Sequence, residues 1–176
     1  MKIIVSSLAL APLIIQRERP SHLVSLLSPD EIGLAPGGHT PERHLRLPMH
    51  DVRETAEAET DQPPAPHHAV ALIAFGRGWT AEAPLLVHCW AGISRSTAAA
   101  FTLACARNPK VEEKAIAWAL REASPTAFPN PLLVAHADAA LGRQGRMMAA
   151  IEAIGTPADF ETAKPFFLPA DFPRKG

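Results

Sequence analysis

The feature that most limits how this chain folds is an uninterrupted apolar run, Pro84-Leu85-Leu86-Val87-His88, followed after a short loop by residues 97–106, which are apolar or small nearly all the way round. An apolar run bounded by a turn signal is the pattern of a strand covered on both faces of its sheet. A helix without a polar face must be buried on most sides, and this one stops at Asn108-Pro109, where proline cannot continue it. The pair predicts an α/β fold with a small central, mostly parallel sheet flanked by helices. The loop between the two elements then lies at the carboxyl end of a buried strand, where open α/β sheets place their ligands.

The remaining segments supply the sheet and its cover. Behind Lys2, the apolar run 3–15 resembles the front of a signal peptide, but its 13 residues are broken by Ser6, Ser7 and Pro12. That is far short of the about 20 needed to span a bilayer, so it reads as a buried strand plus a short connecting element. Residues 22–28 read as a second strand ending at Pro29-Asp30. Residues 44–49 alternate polar and apolar side chains, as a half-buried strand does, and Pro48 places that strand's end or an edge there. Residues 54–66 are polar, carry prolines and have no face to bury, which predicts a surface loop. Helical spacing follows at 67–79, 110–123, 131–141 and 143–154. The tail 155–176 reads as irregular, packed on the body through Phe160, Phe166, Phe167 and Phe172. No repeat or boundary divides the chain, so residues 1–176 read as a single domain.

Composition narrows the function. With 17 Lys+Arg against 18 Asp+Glu the net charge is -1, which gives no broad basic field for nucleic acid or an anionic membrane. A hydrophobic content of 47% with 20% charged residues is that of a globular protein, neither disordered nor membrane-embedded. Two cysteines form no disulfide framework and fit a reducing, cytoplasmic setting. The 18 prolines predict short elements joined by firm loops.

Chemistry concentrates in His88-Cys89-Trp90-Ala91-Gly92-Ile93-Ser94-Arg95-Ser96. Cys-x5-Arg alone is a weak pattern; Gly92, Ser96 and the strand-loop-helix setting sharpen it. A short loop opening a helix exposes backbone N–H groups without intrahelical acceptors, and the helix dipole adds partial positive charge. Gly92 permits the tight bend that turns successive amides inward as an anion nest, so Trp90, Ala91, Gly92, Ile93, Ser94 and Arg95 become candidate phosphate-binding residues. Arg95 offers a planar fork for two phosphoryl oxygens, which a lysine does not reproduce. In that positive field the Cys89 thiol gives up its proton readily and faces the bound anion as a nucleophile. Ser96 is placed to donate its hydroxyl to the departing sulfur.

This segment resembles the signature loop of the cysteine-dependent protein tyrosine phosphatases, and its mid-chain position resembles their compact dual-specificity branch. The resemblance implies a tyrosine-phosphatase-like fold and hydrolysis of a phosphate monoester through a cysteinyl-phosphate intermediate, without metal or organic cofactor. The substrate would be a phosphorylated protein or a small aryl phosphate, with no nucleic acid and no membrane as partner. In the family an aspartate at a strand end, often in a Pro-aromatic-x-Asp setting, is the general acid. Pro48-Met49-His50-Asp51 matches with methionine in the aromatic place. Asp51 lies 38 residues before Cys89, further than the roughly thirty the family spacing implies, and the polar loop would absorb the excess. Residues 121–130 are similar to the branch's Arg…Pro-Asn segment. The likeness runs from about residue 45 to 141.

Competing assignments remain open at this level. Asp61, 28 residues before Cys89, is the alternative acid, although it lies in the polar loop without strand support. His88 is expected to orient and tune the thiol, and Trp90 to line or shield the cleft. Cys105 lies roughly 14 Å further along the buried helix, too far for a disulfide with Cys89, so it reads as core. The spacing of the histidines matches no metal template, and His136 reads as core. The loop itself carries no extra cation of the kind a multiply phosphorylated inositol requires; Arg143 and Arg146 are the candidates elsewhere. Alternatives to a phosphatase are a catalytically silent phosphate-binding module, and a rhodanese-like or Cdc25-like cysteine-loop enzyme.

Overall fold

β4 (Leu85–Cys89), all five residues buried, is the middle strand of a five-stranded sheet. The computed structural model describes residues 1–54, 61–157, 159–160 and 163–173. The other elements are β1 (Lys2–Ser7), α1 (Ala11–Glu18), β2 (His22–Leu27), β3 (His44–Pro48), α2 (Pro66–Gly78), α3 (Arg95–Arg107), α4 (Glu113–Ala123), α5 (Pro131–Leu141), α6 (Arg146–Ala153) and β5 (Phe166–Pro169). The strand order is β3-β2-β4-β1-β5. The first four strands are mutually parallel, and β5 runs antiparallel to β1.

Alternation of side chains across the strands divides the apolar residues between two faces. Ile3, Val5, Val24, Leu26, Leu85 and Val87 face one large core, closed by the helices α2 to α6. Ile4, Leu23 and Leu86 face a smaller one, closed by Ala11 and Ile14 of α1. α3 is buried at every position from Arg95 to Cys105, because it lies between the sheet and α2, α4 and α5. Its small residues Ala98, Ala99 and Ala100 allow that close approach on several sides. Among the described residues no helix is long and apolar enough to cross a membrane.

The sequence expectations hold for the first four strands and for the existence of α2 to α6, while the expected short connecting element after β1 is the helix α1; three further differences follow. The tail is not irregular throughout: Phe166 and Leu168 point inward and Phe167 outward, and the segment pairs with β1 as an edge strand. α4 starts at Glu113 because a turn closed by Val111 N–H on the Asn108 carbonyl comes first. α6 starts at Arg146 because Gly142, Gln144 and Gly145 all take positive φ, a conformation a helix cannot contain. β3 is an edge strand, as Pro48 requires. Residues 55–60 of the expected polar loop lie outside the described residues.

Candidate active site

The chain from Cys89 to Arg95 leaves β4 and turns directly into α3. Two features fix the turn. Gly92 takes φ +78°, and a Cβ there would meet the backbone of Ser6 and Ser7 at 2.9 Å, so only glycine lets the loop lie against the end of β1. The Leu8 amide donates to the Trp90 carbonyl, pinning the loop to the same strand end. Inside the loop, the Gly92 amide donates to Cys89 Sγ at 3.3 Å, and Ser96 Oγ lies 3.1 Å from the same sulfur. Thr97 Oγ1 donates back to the carbonyls of Ile93 and Ser94, which holds the first turn of α3. The amides of Ala91, Ile93, Ser94 and Arg95 donate to no backbone carbonyl among the described residues. They form the row of free donors that a helix start offers an anion. Trp90 is half exposed beside them.

Arg95 is the unusual member. It is buried, only 5% exposed, at the end of a helix whose dipole disfavours a cation. Nη1 donates to the Met49 carbonyl at 2.8 Å. Nε has no hydrogen-bond partner among the described residues; its nearest acid, Asp51 Oδ2, is 3.8 Å away. A buried guanidinium with an unused N–H costs about 1–3 kcal/mol for that group alone, and a bound oxyanion would remove the cost.

The structure joins Asp51 to this loop by a hydrogen bond. Asp51 Oδ1 accepts hydrogen bonds from Ser94 Oγ at 2.7 Å and Asn130 Nδ2 at 2.9 Å. Its side chain remains about a third exposed, so one edge of the carboxyl is anchored and the group still reaches solvent. Asp61 stands 4.0 Å from His50 Nδ1, and among the described residues no hydrogen bond or ion pair joins it to the loop. The expectation of strand support for Asp51 is met through Met49, whose amide donates to Leu27 of β2 and whose carbonyl holds Arg95.

The roles of two residues at Asp51 and the loop escaped the sequence reading, although Asn130 closes the Arg…Pro-Asn segment noted there. Asn130 is fully buried; its Nδ2 holds Asp51 and the Val52 carbonyl, while its Oδ1 accepts from Leu133 N–H and caps α5. An asparagine before Pro131 is a readable helix-cap signal, but its second role depends on a partner 79 positions away. Arg53 Cζ stands over the Phe128 ring, 3.7 Å from its centroid, and the guanidinium donates to Ser94 Oγ and the Phe128 carbonyl. The Phe128 amide in turn donates to the Ile93 carbonyl. Residues 51–53, 93–95 and 128–130 are thereby laced together.

His88 is fully buried. Burial pushes its ring down to about 4, against a weaker opposing contact with the Cys89 backbone, so it is neutral at ordinary pH and serves as an oriented strand residue. Cys105 is a free thiol in the core, and burial pushes its thiol up.

The mostly parallel sheet and its flanking helices are similar to those of solved dual-specificity phosphatases. Human DUSP28 shares this fold with a TM-score of 0.57, at 20% identity over 80% of this chain and 88% of its own. DUSP15 does so with a TM-score of 0.56, at 20% identity over 85% of this chain and 88% of its own. The PTP-2 phosphatase of Cydia pomonella matches with a TM-score of 0.56, at 15% identity over 77% of this chain and 83% of its own. At these identities the likeness is one of fold. No family model matches the chain, and no curated protein matches it.

Proposed function

We propose that this protein hydrolyses phosphate monoesters through a cysteinyl-phosphate intermediate, as a protein tyrosine or dual-specificity phosphatase. The observation that carries the reading is the buried Arg95, whose Nε has no hydrogen-bond partner among the described residues, in a loop where the amides of Ala91, Ile93, Ser94 and Arg95 donate to no backbone carbonyl and the cysteine touches both the Gly92 amide and Ser96. Such a loop suits a tetrahedral dianion: the amides and Arg95 hold its equatorial oxygens and Cys89 Sγ faces phosphorus. The sulfur forms a bond to phosphorus as the ester oxygen leaves. Asp51 gives that oxygen its proton and later takes one from the attacking water, while Ser96 donates to the sulfur as the S–P bond breaks. Asn130 and Ser94 aim the acid. The fold shared with DUSP28 and DUSP15 supports a phosphatase over a rhodanese-like enzyme.

Aryl phosphates, phosphotyrosine among them, are the preferred substrate class. The loop carries no cation besides Arg95, and Arg143 and Arg146 both pair with Glu113, so neither is spare for a multiply phosphorylated inositol. Two buried free thiols suit a reducing, cytoplasmic setting. The decisive experiment compares wild type with Cys89→Ser on nitrophenyl phosphate. Cys89→Ser should lose more than about 99% of turnover while tungstate still binds, because the amides and Arg95 remain. Retention of turnover refutes covalent catalysis, and anion binding without turnover in the wild type indicates a silent binding module.

A further inference from the structure

A groove of about 320 Å³ lies beside the anion loop, lined by Arg53 and Phe128 next to the loop, by Pro131 at the start of α5, and by Met148, Ile151 and Glu152 of α6. It is continuous with the site. Arg53 Nη1 donates to Ser94 Oγ at 3.2 Å, and the Phe128 amide donates to the Ile93 carbonyl at 2.9 Å, so two of its lining residues are bonded to the segment that would hold a phosphoryl group. Its surface is mainly apolar. Pro131, Met148 and Ile151 are only half-buried, and Phe160, 55% exposed, meets the Phe128 ring edge-on with 5.5 Å between ring centres. Open apolar surface next to a polar site marks a place for the apolar part of a ligand. A groove of this volume stands at the small end of ligand pockets, which suits a side chain or two rather than the tails of a lipid.

The charge that the groove offers a ligand is negative. Arg53 spends its terminal nitrogens on Ser94 and on the carbonyls of Phe128 and Pro129, with its guanidinium over the Phe128 ring, and so forms part of the wall. Glu152 is exposed, and among the described residues its carboxylate makes no hydrogen bond or ion pair. It stands in the last turn of α6, where the helix dipole disfavours an anion. Arg121 donates to the Ile154 and Gly155 carbonyls just beyond it and not to the acid. A cation brought by the ligand would offset this placement, whereas an anionic membrane surface would be repelled by it. We propose that the groove is a substrate subsite: from a peptide bearing phosphotyrosine it takes a large apolar side chain near the phosphorylated residue, together with an adjoining Lys or Arg that pairs with Glu152. The inference rests on the loop being a phosphatase site.

Phosphotyrosine peptides that differ only in one pair of residues supply the test. Nitrophenyl phosphate, too small to fill the groove, measures the reaction centre in every protein, and each peptide rate is taken relative to it so that loss of folded protein cancels. A leucine–lysine pair moved through the positions flanking phosphotyrosine should, at one of them, raise kcat/KM roughly tenfold over a serine–serine pair. Replacing that lysine by glutamate should cost about threefold, and in Glu152→Lys the order of the two peptides should reverse. Ile151→Ser should remove most of the advantage of leucine. Equal kcat/KM for all peptides in a wild type that hydrolyses nitrophenyl phosphate overturns the subsite and leaves the phosphatase reading standing. A leucine–lysine preference that survives both Ile151→Ser and Glu152→Lys also overturns it, as does a single-chain lipid phosphate in vesicles that is hydrolysed faster than every peptide. Binding of the same peptides to Cys89→Ser, read by fluorescence anisotropy, needs no turnover. If the wild type hydrolyses nothing, yet the preference in binding is present and depends on Glu152, the phosphatase reading fails and the subsite stands.

Discussion

α3 has a buried arginine at each end, and the two are held in opposite ways. At its amino end, Arg95 meets a dipole of its own sign and uses one full-strength hydrogen bond, to Met49, with Asp51 at 3.8 Å. At its carboxyl end, Arg143 meets a dipole of opposite sign. It donates to the Cys105 carbonyl at 2.8 Å, to the Pro109 carbonyl, and to Glu113 at 2.8 Å. Arg146 closes the second Glu113 oxygen, and the Asp138 carboxylate accepts from the Gly145 and Met147 amides that begin α6. Similar burial thus hides different business. Arg143 spends both terminal nitrogens on the carboxyl end of α3, the Pro109 turn and α4, whereas Arg95, placed where the helix end repels it, keeps an Nε without a hydrogen-bond partner among the described residues.

The two ends of α3 should differ most through Asp51, whose carboxylate stands 3.8 Å from Arg95 Nε. Asp51→Asn should lower turnover by ~100 to 10,000-fold on esters with poorly departing oxygens, and much less on nitrophenyl phosphate, whose leaving group scarcely needs a proton. Asp61→Asn should leave both unchanged. Steady-state rates across a leaving-group series decide it, and exchanged phenotypes would move the acid to the segment around Asp61.

The arginines themselves give the next largest contrast. Arg95→Lys should cost roughly 100 to 1,000-fold in kcat/KM, since a point charge does not replace a fork aimed at two oxygens. Tungstate should raise the Tm of wild type by mass action and fail to do so in Arg95→Lys. If Arg95→Lys keeps both activity and the tungstate shift, the unsaturated end of α3 is no anion site.

What the sequence revealed follows the range of each interaction. The strand, the cysteine loop and α3 are contiguous, so residues 84–106 carry their own pattern of burial and were legible. β5 was not, because a four-residue strand that follows Pro165 and ends on Pro169 acquires its meaning only from β1, more than 160 positions earlier. The lacing of Asp51 by Ser94 and Asn130 spans 43 and 79 positions and leaves no local signature beyond the helix cap. Arg143 and Arg146 look alike as free cations in the chain; only the fold brings Glu113 between them.

At the closed cluster, Arg143→Ala should cost stability rather than chemistry. It leaves Glu113, 5% exposed, with Arg146 alone, and breaking a buried ion pair of this kind typically costs about 3–5 kcal/mol. Urea unfolding should report the loss, while KM measured on the folded fraction stays at the wild-type value. A changed KM would mean that the two ends of α3 are coupled.

The smallest effect separates the two ends by pH. Burial pushes His44, His68 and His88 each down to about 4, and His44 and His88 share the buried Ser25 hydroxyl, 2.8 and 2.6 Å from their Nε2 atoms. Their folded values fall below the unfolded value near 6.5, so the unfolded chain binds more protons between those limits and stability drops as pH falls through them. The expected loss is roughly 1 kcal/mol per histidine between pH 7 and 5.5. Glu113 behaves differently. Burial alone would raise it, but its backbone hydrogen bond, Arg146 and Arg143 together hold it below the ordinary carboxylate range. Its cluster therefore stays charged across that interval and weakens only at lower pH. Unfolding free energies measured at pH 7 and 5.5 should show a smaller acid loss in His68→Gln than in wild type, and an unaltered loss in Glu113→Gln despite its lower starting stability. If Glu113→Gln instead removes the acid loss, the carboxyl end of α3 titrates first, and the contrast between an open, proton-sensitive end and a closed, insensitive one is wrong.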